Sequence, residues 1–187
     1  MKSEKSCVKR SKAAARVAFL SGLAALAMQV PPAAAADYGV GVLHNGTGST
    51  VLFPIRTETL NVEPEINFSK ATGDITSRSL SIATGVYLRK QLGSSFESSV
   101  GARLGYRERK NQLSSTLESD SHSWFLTPSA GIQYFFTKQI SIGFDVGLEY
   151  ARSTSKITDS TFFPNLITNS SGHSWDTVTR IMLRAYF

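Results

Sequence analysis

Two tripeptides in this sequence repeat one another, His122-Ser-Trp124 and His173-Ser-Trp175; the third histidine is His44. A histidine beside a serine has the residue types of a general base and its nucleophile, the pair used in acyl transfer. Asp145 and Glu149 stand four residues apart and could serve as paired carboxylates in acid–base work. Arg103, Arg107, Arg180 and Arg184 are available to neutralise them. The chain carries no phosphate-binding glycine loop, no metal-ligand spacing and no cofactor motif, so no cofactor and no metal is expected. Its single cysteine, Cys7, excludes a disulfide framework and a thiolate zinc site. Whether any of these groups can act on another depends on the elements that carry them.

The chain has 187 residues, with 20 Lys plus Arg, 14 Asp plus Glu and a formal net charge of +6. Lys2, Lys5, Lys9, Arg10, Lys12 and Arg16 precede an apolar run over residues 17–30, which Pro31, Pro32 and four alanines follow. A basic start, a short apolar stretch and small residues ending in Ala34-x-Ala36 predict a signal peptide over 1–36, cleaved after Ala36. The run is too short for the ~20 residues of a membrane-spanning helix. Its removal takes away six basic residues and Glu4, which leaves 14 against 13 and a net charge near +1 over residues 37–187. The basicity therefore belongs to export, and no nucleic-acid partner is expected. Cys7 precedes the apolar run, where a lipid-bearing cysteine would follow it. An exported chain that has lost its only cysteine must find stability without disulfides, and a closed barrel supplies it.

From residue 37 onward the hydrophobic period is two, with no helical period. Ile140, Ile142, Phe144, Val146, Leu148 and Tyr150 alternate with Ser141, Gly143, Asp145, Gly147 and Glu149. Trp175, Thr177, Thr179, Ile181, Leu183, Ala185 and Phe187 alternate with Asp176, Val178, Arg180, Met182, Arg184 and Tyr186. The same pattern runs over 96–107 and 124–136, and upstream over 80–88 and 60–68. Pro64 and Pro128 fall inside such runs and are expected as local irregularities, since proline removes a ladder donor. Two short strands, 38–43 and 50–54 around a turn at 44–49, bring the count to eight. Connectors at 54–58, 90–94 and 137–139 are short, 44–49 and 69–76 are modest, and 108–122 and 153–172 are long. Short turns on one side and longer loops on the other characterise an outer-membrane barrel. The expected fold is all-β: an eight-stranded antiparallel up-and-down transmembrane β-barrel, residues 37–187, preceded by a cleaved signal peptide.

The orientation of the two faces follows from their composition. One face carries small residues beside Glu63, Glu65, Arg103, Asp145, Glu149, Arg180 and Arg184, which suits a narrow lumen where ion pairs replace water. The other is apolar, with aromatics at its ends. Tyr106, Trp124, Tyr150 and Trp175 form an expected outer belt, and Phe96, Phe136 and Phe187 an expected periplasmic one. The competing arrangement is a lipocalin-like barrel with the apolar parity turned inward.

These features resemble the small OmpA/OmpX-like outer-membrane β-barrel proteins of Gram-negative bacteria. The resemblance rests on the signal peptide, the glycine-rich inward faces and the final Arg184-Ala-Tyr-Phe187, and it is architectural. It implies that Phe187, a terminal Phe on an alternating strand, is the signal read by the barrel-assembly machinery. Lipid A deacylases are eight-stranded barrels with a His/Ser pair near the outer leaflet, which gives the enzymatic reading of His122-Ser and His173-Ser. Adjacent residues of a strand point to opposite faces, however, so neither neighbour pair can join base to nucleophile.

The expected function is therefore non-enzymatic: a structural or surface-interaction protein of the bacterial outer membrane. A lipid A-modifying hydrolase and a small solute pore are the alternatives. In the lumen, Asp145 and Glu149 are expected to pair with Arg103, Arg107, Arg180 and Arg184, with Arg103 and Arg180 first. Expected partners are outer-membrane lipid and lipopolysaccharide, the latter near Arg107, Arg109, Lys110, Arg152 and Lys156. An extracellular ligand is expected on loops 108–122 and 153–172.

Overall fold

The computed structural model describes residues 36–187, apart from 46–47, 72–75, 113, 115 and 162–165. The expected signal peptide lies, except for Ala36, outside the described residues. Nine strands follow in order: β1 (Asp37–His44), β2 (Ser49–Leu52), β3 (Ile55–Arg56), β4 (Leu60–Ala71), β5 (Thr76–Gln91), β6 (Phe96–Gln112), β7 (Leu117–Phe135), β8 (Ile140–Asp159) and β9 (Leu166–Tyr186). Neighbouring strands pair antiparallel around the sheet, and β1 pairs with β9 to close the ring.

The nine strands make eight staves, because β2 and β3 are one stave interrupted by a proline. Both keep a single register, with Gly41 opposite Leu52 and Asp37 opposite Arg56. Pro54 accepts from the Gly39 N–H, while Phe53 donates to the Pro64 carbonyl. Each of these prolines gives its neighbour an acceptor and withholds the returning donor, so the stave loses one bond on either side at its midpoint. Pro128 acts likewise on β7, whose ladder to β8 lapses between Leu126 and Ser129.

Stagger and tilt follow from the register. A circuit from Arg184 through Gly41, Leu52, Glu65, Ala83, Gly105, Phe125 and Ala151 returns to β9 at Ser174, ten residues from its start. Eight staves with that stagger tilt at roughly 40°, the regime of a small barrel whose lumen is filled by side chains. The faces obey the expected parity. Val100, Leu104, Phe144, Val146, Leu148, Ile181 and Leu183 lie exposed on the outside. Ala83, Tyr87, Arg103, Phe125, Asp145 and Arg180 are buried inside. Inward glycines make room for the large ones. A Cβ on Gly143 would lie 2.6 Å from Arg184 Nη1, and one on Gly105 would lie 2.2 Å from the Phe125 ring.

The structure corrects the expected loops. Most of the described residues of 108–122 and 153–172 are strand, since β6 continues to Gln112, β7 begins at Leu117, β8 runs to Asp159 and β9 begins at Leu166. Arg109 pairs with Ser121, Lys110 with Asp120, and Lys156 with Asn169. The β6–β9 sheet thus rises well above the short β1–β2 hairpin that adjoins β9.

Candidate functional site

The inward parity of β4, β6, β8 and β9 brings a charged cluster together in the middle of the lumen. Glu63 is its hub and has no solvent exposure. Arg184 Nη2 donates to Glu63 Oε1 at 2.5 Å from β9, and Arg103 Nη2 donates to Oε2 at 3.3 Å from β6. Asn61, two residues earlier on the same face, donates a third bond at 2.7 Å. Arg103 also lies 3.4 Å from Glu65. Beside the hub, Arg180 Nε donates to Asp145 Oδ1 at 2.7 Å across the β8–β9 ladder, where the two residues face each other in register. A carboxylate so enclosed stays ionised only if its partners are close and hydrogen-bonded, and Glu63 has three.

The expected partnerships are redistributed by this geometry. Asp145 meets Arg180, and Glu149 meets Arg107 at 3.6 Å near the outer mouth. Arg103 and Arg184 bind neither of those carboxylates; they converge on Glu63 and Glu65. The two glutamates were legible as inward residues of β4. That they serve as the hub depends on a cross-barrel register that no strand states by itself. A second cluster also went unread. At the periplasmic mouth Glu97 accepts from Arg89 Nε at 3.0 Å and Nη2 at 2.5 Å, and from Arg56. Arg56 also lies over the Phe135 ring, 4.5 Å from its centroid. Arg56 and Arg89 each sit at the end of a short alternating run, where parity is hard to assign.

The clusters divide the lumen. A cavity of about 840 Å³ opens above, lined in part by Glu65, Arg103, Arg107, Arg109, Glu149 and Arg180. One of about 600 Å³ lies at the periplasmic end, between Asp37, Arg56, Glu97, Phe135 and Tyr186. Between them stand Asn61, Glu63, Tyr87, Asp145 and Arg184, all buried and lining neither cavity.

Outside, aromatic rings gather at two levels. Tyr106 packs on Trp124 and Tyr150 on Trp175, each with centroids 4.9 Å apart. At the other end Phe96 meets Tyr134 at 4.9 Å, and Tyr134 meets Phe136 at 5.1 Å. Phe187 is 79% exposed. Phe96 and Tyr106 are ten residues apart, ~33 Å along a strand and roughly 25 Å along a barrel axis at this tilt. That height matches the apolar band of an outer-membrane barrel.

His122 and His173 point outward above the outer belt and are exposed, while Ser123 faces the other way. His173 lies 6.4 Å from the Tyr150 ring. At the tip of the tall sheet Thr161 N–H donates to Asp159 Oδ1 at 2.9 Å, and with the Thr161 hydroxyl it holds that carboxyl below its ordinary range. Lys110 lies 3.9 Å from both Glu108 and Asp120 on the open strand surface.

No protein-family profile and no curated protein sequence matches this chain. Among solved structures it is similar to a major outer membrane protein from Thermus thermophilus, with a TM-score of 0.54 at 12% identity, covering 82% of this chain and 100% of that one. Neisserial surface protein A gives a TM-score of 0.48 at 17% identity, over 81% of this chain and 94% of that one. Acinetobacter baumannii CarO gives 0.40 at 12%, over 85% and 99%. The fold is that of a bacterial outer-membrane β-barrel.

Proposed function

We propose that this chain is a non-enzymatic outer-membrane barrel whose lumen is shut by its own ion cluster, so that contacts with the surroundings fall to its outer end. The observation that carries this reading is the buried layer around Glu63, which separates the two cavities and leaves its carboxylate bonded on every side. The tall β6–β9 sheet and the basic residues along it, Arg107, Arg109, Lys110, Arg152 and Lys156, are suited to an extracellular ligand and to lipopolysaccharide phosphates. Phe187, exposed at the end of the closing strand, suits recognition by the barrel-assembly machinery.

Conductance in planar bilayers tests the shut lumen. The wild-type protein is expected to show no stable channel. Glu63→Ala combined with Arg184→Ala removes the hub together with one of its partners, and is expected to open one. A small solute pore is the second reading, favoured by the fact that one layer of side chains parts the two cavities. Steady wild-type conductance that the double variant leaves unchanged would establish it.

A further inference from the structure

The upper cavity is lined by residues of both parities. Leu43, Arg103 and Arg180 face the lumen, whereas Phe68, Thr179 and Ile181 belong to the outward face of their strands. A cavity touches both sides of a sheet at the strand ends, as the periplasmic one does, or where the sheet is interrupted. The register shows the interruption. The β1–β9 ladder ends at His44 opposite Ile181, six residues short of Trp175 in the outer belt. On the other side of the hairpin, β2 pairs with β4 only at Glu65 and Ile66. Among the described residues, the edge of β9 above Ile181 and the edge of β4 above Asn67 have no strand between them. Three strand spacings separate those edges, on the order of 14 Å around the wall. Part of this stretch lies below Trp175, at the depth of the apolar band.

We propose that the barrel wall is open at membrane level above the β1–β2 hairpin, and that the upper cavity receives through it the carboxylate head of a single-chain fatty acid from the outer leaflet. The acyl chain lies in the opening against Phe68, Thr179 and Ile181, continuous with the lipid-facing surface. The head meets a cavity whose lining carries Arg103, Arg107, Arg109 and Arg180 against Glu65 and Glu149, an excess of two cations. Arg180 is 3% exposed, and its Nη2 has no hydrogen-bond partner in the protein, since Nε alone serves Asp145. Arg107 holds Glu149 only at 3.6 Å and is 37% exposed, so its guanidinium has donors to spare. Guanidinium forks suit a carboxylate. A volume of about 840 Å³ is that of a small-molecule site and has room for one chain, not for the several chains of a lipopolysaccharide.

Photolabelling tests this. The full-length mature protein in phosphatidylcholine nanodiscs is irradiated with palmitate carrying a terminal diazirine, and adducts are mapped by mass spectrometry. Labelling is expected to concentrate on Phe68, Thr179 and Ile181 over Val100 and Val146, lipid-facing positions remote from the opening. Excess palmitate should abolish that concentration, and uncharged methyl palmitate should not. Arg109→Gln, which breaks no buried pair, should weaken the site about tenfold, the size of one charge-assisted hydrogen bond. Thr179→Trp should block the opening and remove the excess labelling while the barrel still shows a heat-modifiable gel shift. Even labelling around the barrel, equal competition by methyl palmitate, or unchanged labelling in Thr179→Trp would each overturn the proposal.

Discussion

The same four strands, β6 to β9, cross two regions that treat their side chains differently. Below the belt of Tyr106, Trp124, Tyr150 and Trp175 alternation is strict: Val146 and Leu148 face outward, and Asp145 and Gly147 face inward. Just above it, over 152–156 and 168–174, both faces are polar, as in Ser153, Thr154, Ser155 and Lys156 on β8 and Thr168, Asn169, Ser170 and Ser171 on β9, and most of these residues are exposed. The backbone pairing is continuous across the boundary, Lys156 with Asn169 above and Asp145 with Arg180 below. What changes is the solvent. Where one face meets lipid and the other a narrow lumen, the residue types must separate; where both faces meet water, nothing separates them and only the ladder holds the strand.

The largest expected effect of this contrast falls on charge. Glu63 binds the short side of the barrel, through β4, to Arg103 and Arg184 of the tall side. Glu63→Gln leaves the buried Arg184 without its counter-charge and Arg103 with Glu65 alone, and should cost ~3–5 kcal/mol in urea unfolding from lipid vesicles. Adding Arg184→Met should recover part of that loss. A cycle with coupling near zero would mean that the lumen is wet at this level and that the two regions share one dielectric environment.

A smaller effect distinguishes the outer faces. Val146 and Thr154 share the outward parity of β8, eight residues apart and on opposite sides of the belt at Tyr150. Arginine at Val146 enters the lipid band and should cost ~2–4 kcal/mol. Arginine at Thr154 enters water and should leave stability within ~0.5 kcal/mol. Equal costs at the two positions would place the belt elsewhere along β8.

The boundary also explains which parts of the fold were legible. From β4 onward every strand within the apolar band was readable, together with its parity, because lipid enforces the period on which the reading depends, whereas β3 was read as part of a connector. The outward parity of Tyr106, Trp124, Tyr150 and Trp175 was readable for the same reason. Residues 108–122 and 153–172 were read as loops because a strand wetted on both faces has the composition of a loop, rich in Ser, Thr and Asn without alternation. Of the cluster, the inward placement of Asp145, Glu149 and the four arginines was legible; their partners were not. Parity gives the face of a strand, whereas partnership across the lumen depends on the ten-residue stagger, which accumulates around all eight staves. Asp145 with Arg180 is a neighbouring-strand pair, but Glu63 with Arg184 spans 121 residues of sequence.

The smallest expected effect lies on the tall sheet itself. Lys110 is 53% exposed and lies 3.9 Å from Glu108 and from Asp120, its register partner on β7. By distance alone this triad resembles Arg103 between Glu63 and Glu65. Its surroundings differ, because water screens all three groups and each retains solvation when the others are removed. Exposed pairs of this kind contribute ~0–1 kcal/mol. Lys110→Ala should therefore shift the urea midpoint far less than Glu63→Gln, and raising the salt concentration should shrink the small shift further. The ladder bonds of Lys110 are backbone bonds that alanine retains, so the hairpin itself should persist. A loss as large as that of Glu63→Gln, insensitive to salt, would show that the tall sheet is packed against something that excludes water, and the contrast between the two regions would then disappear.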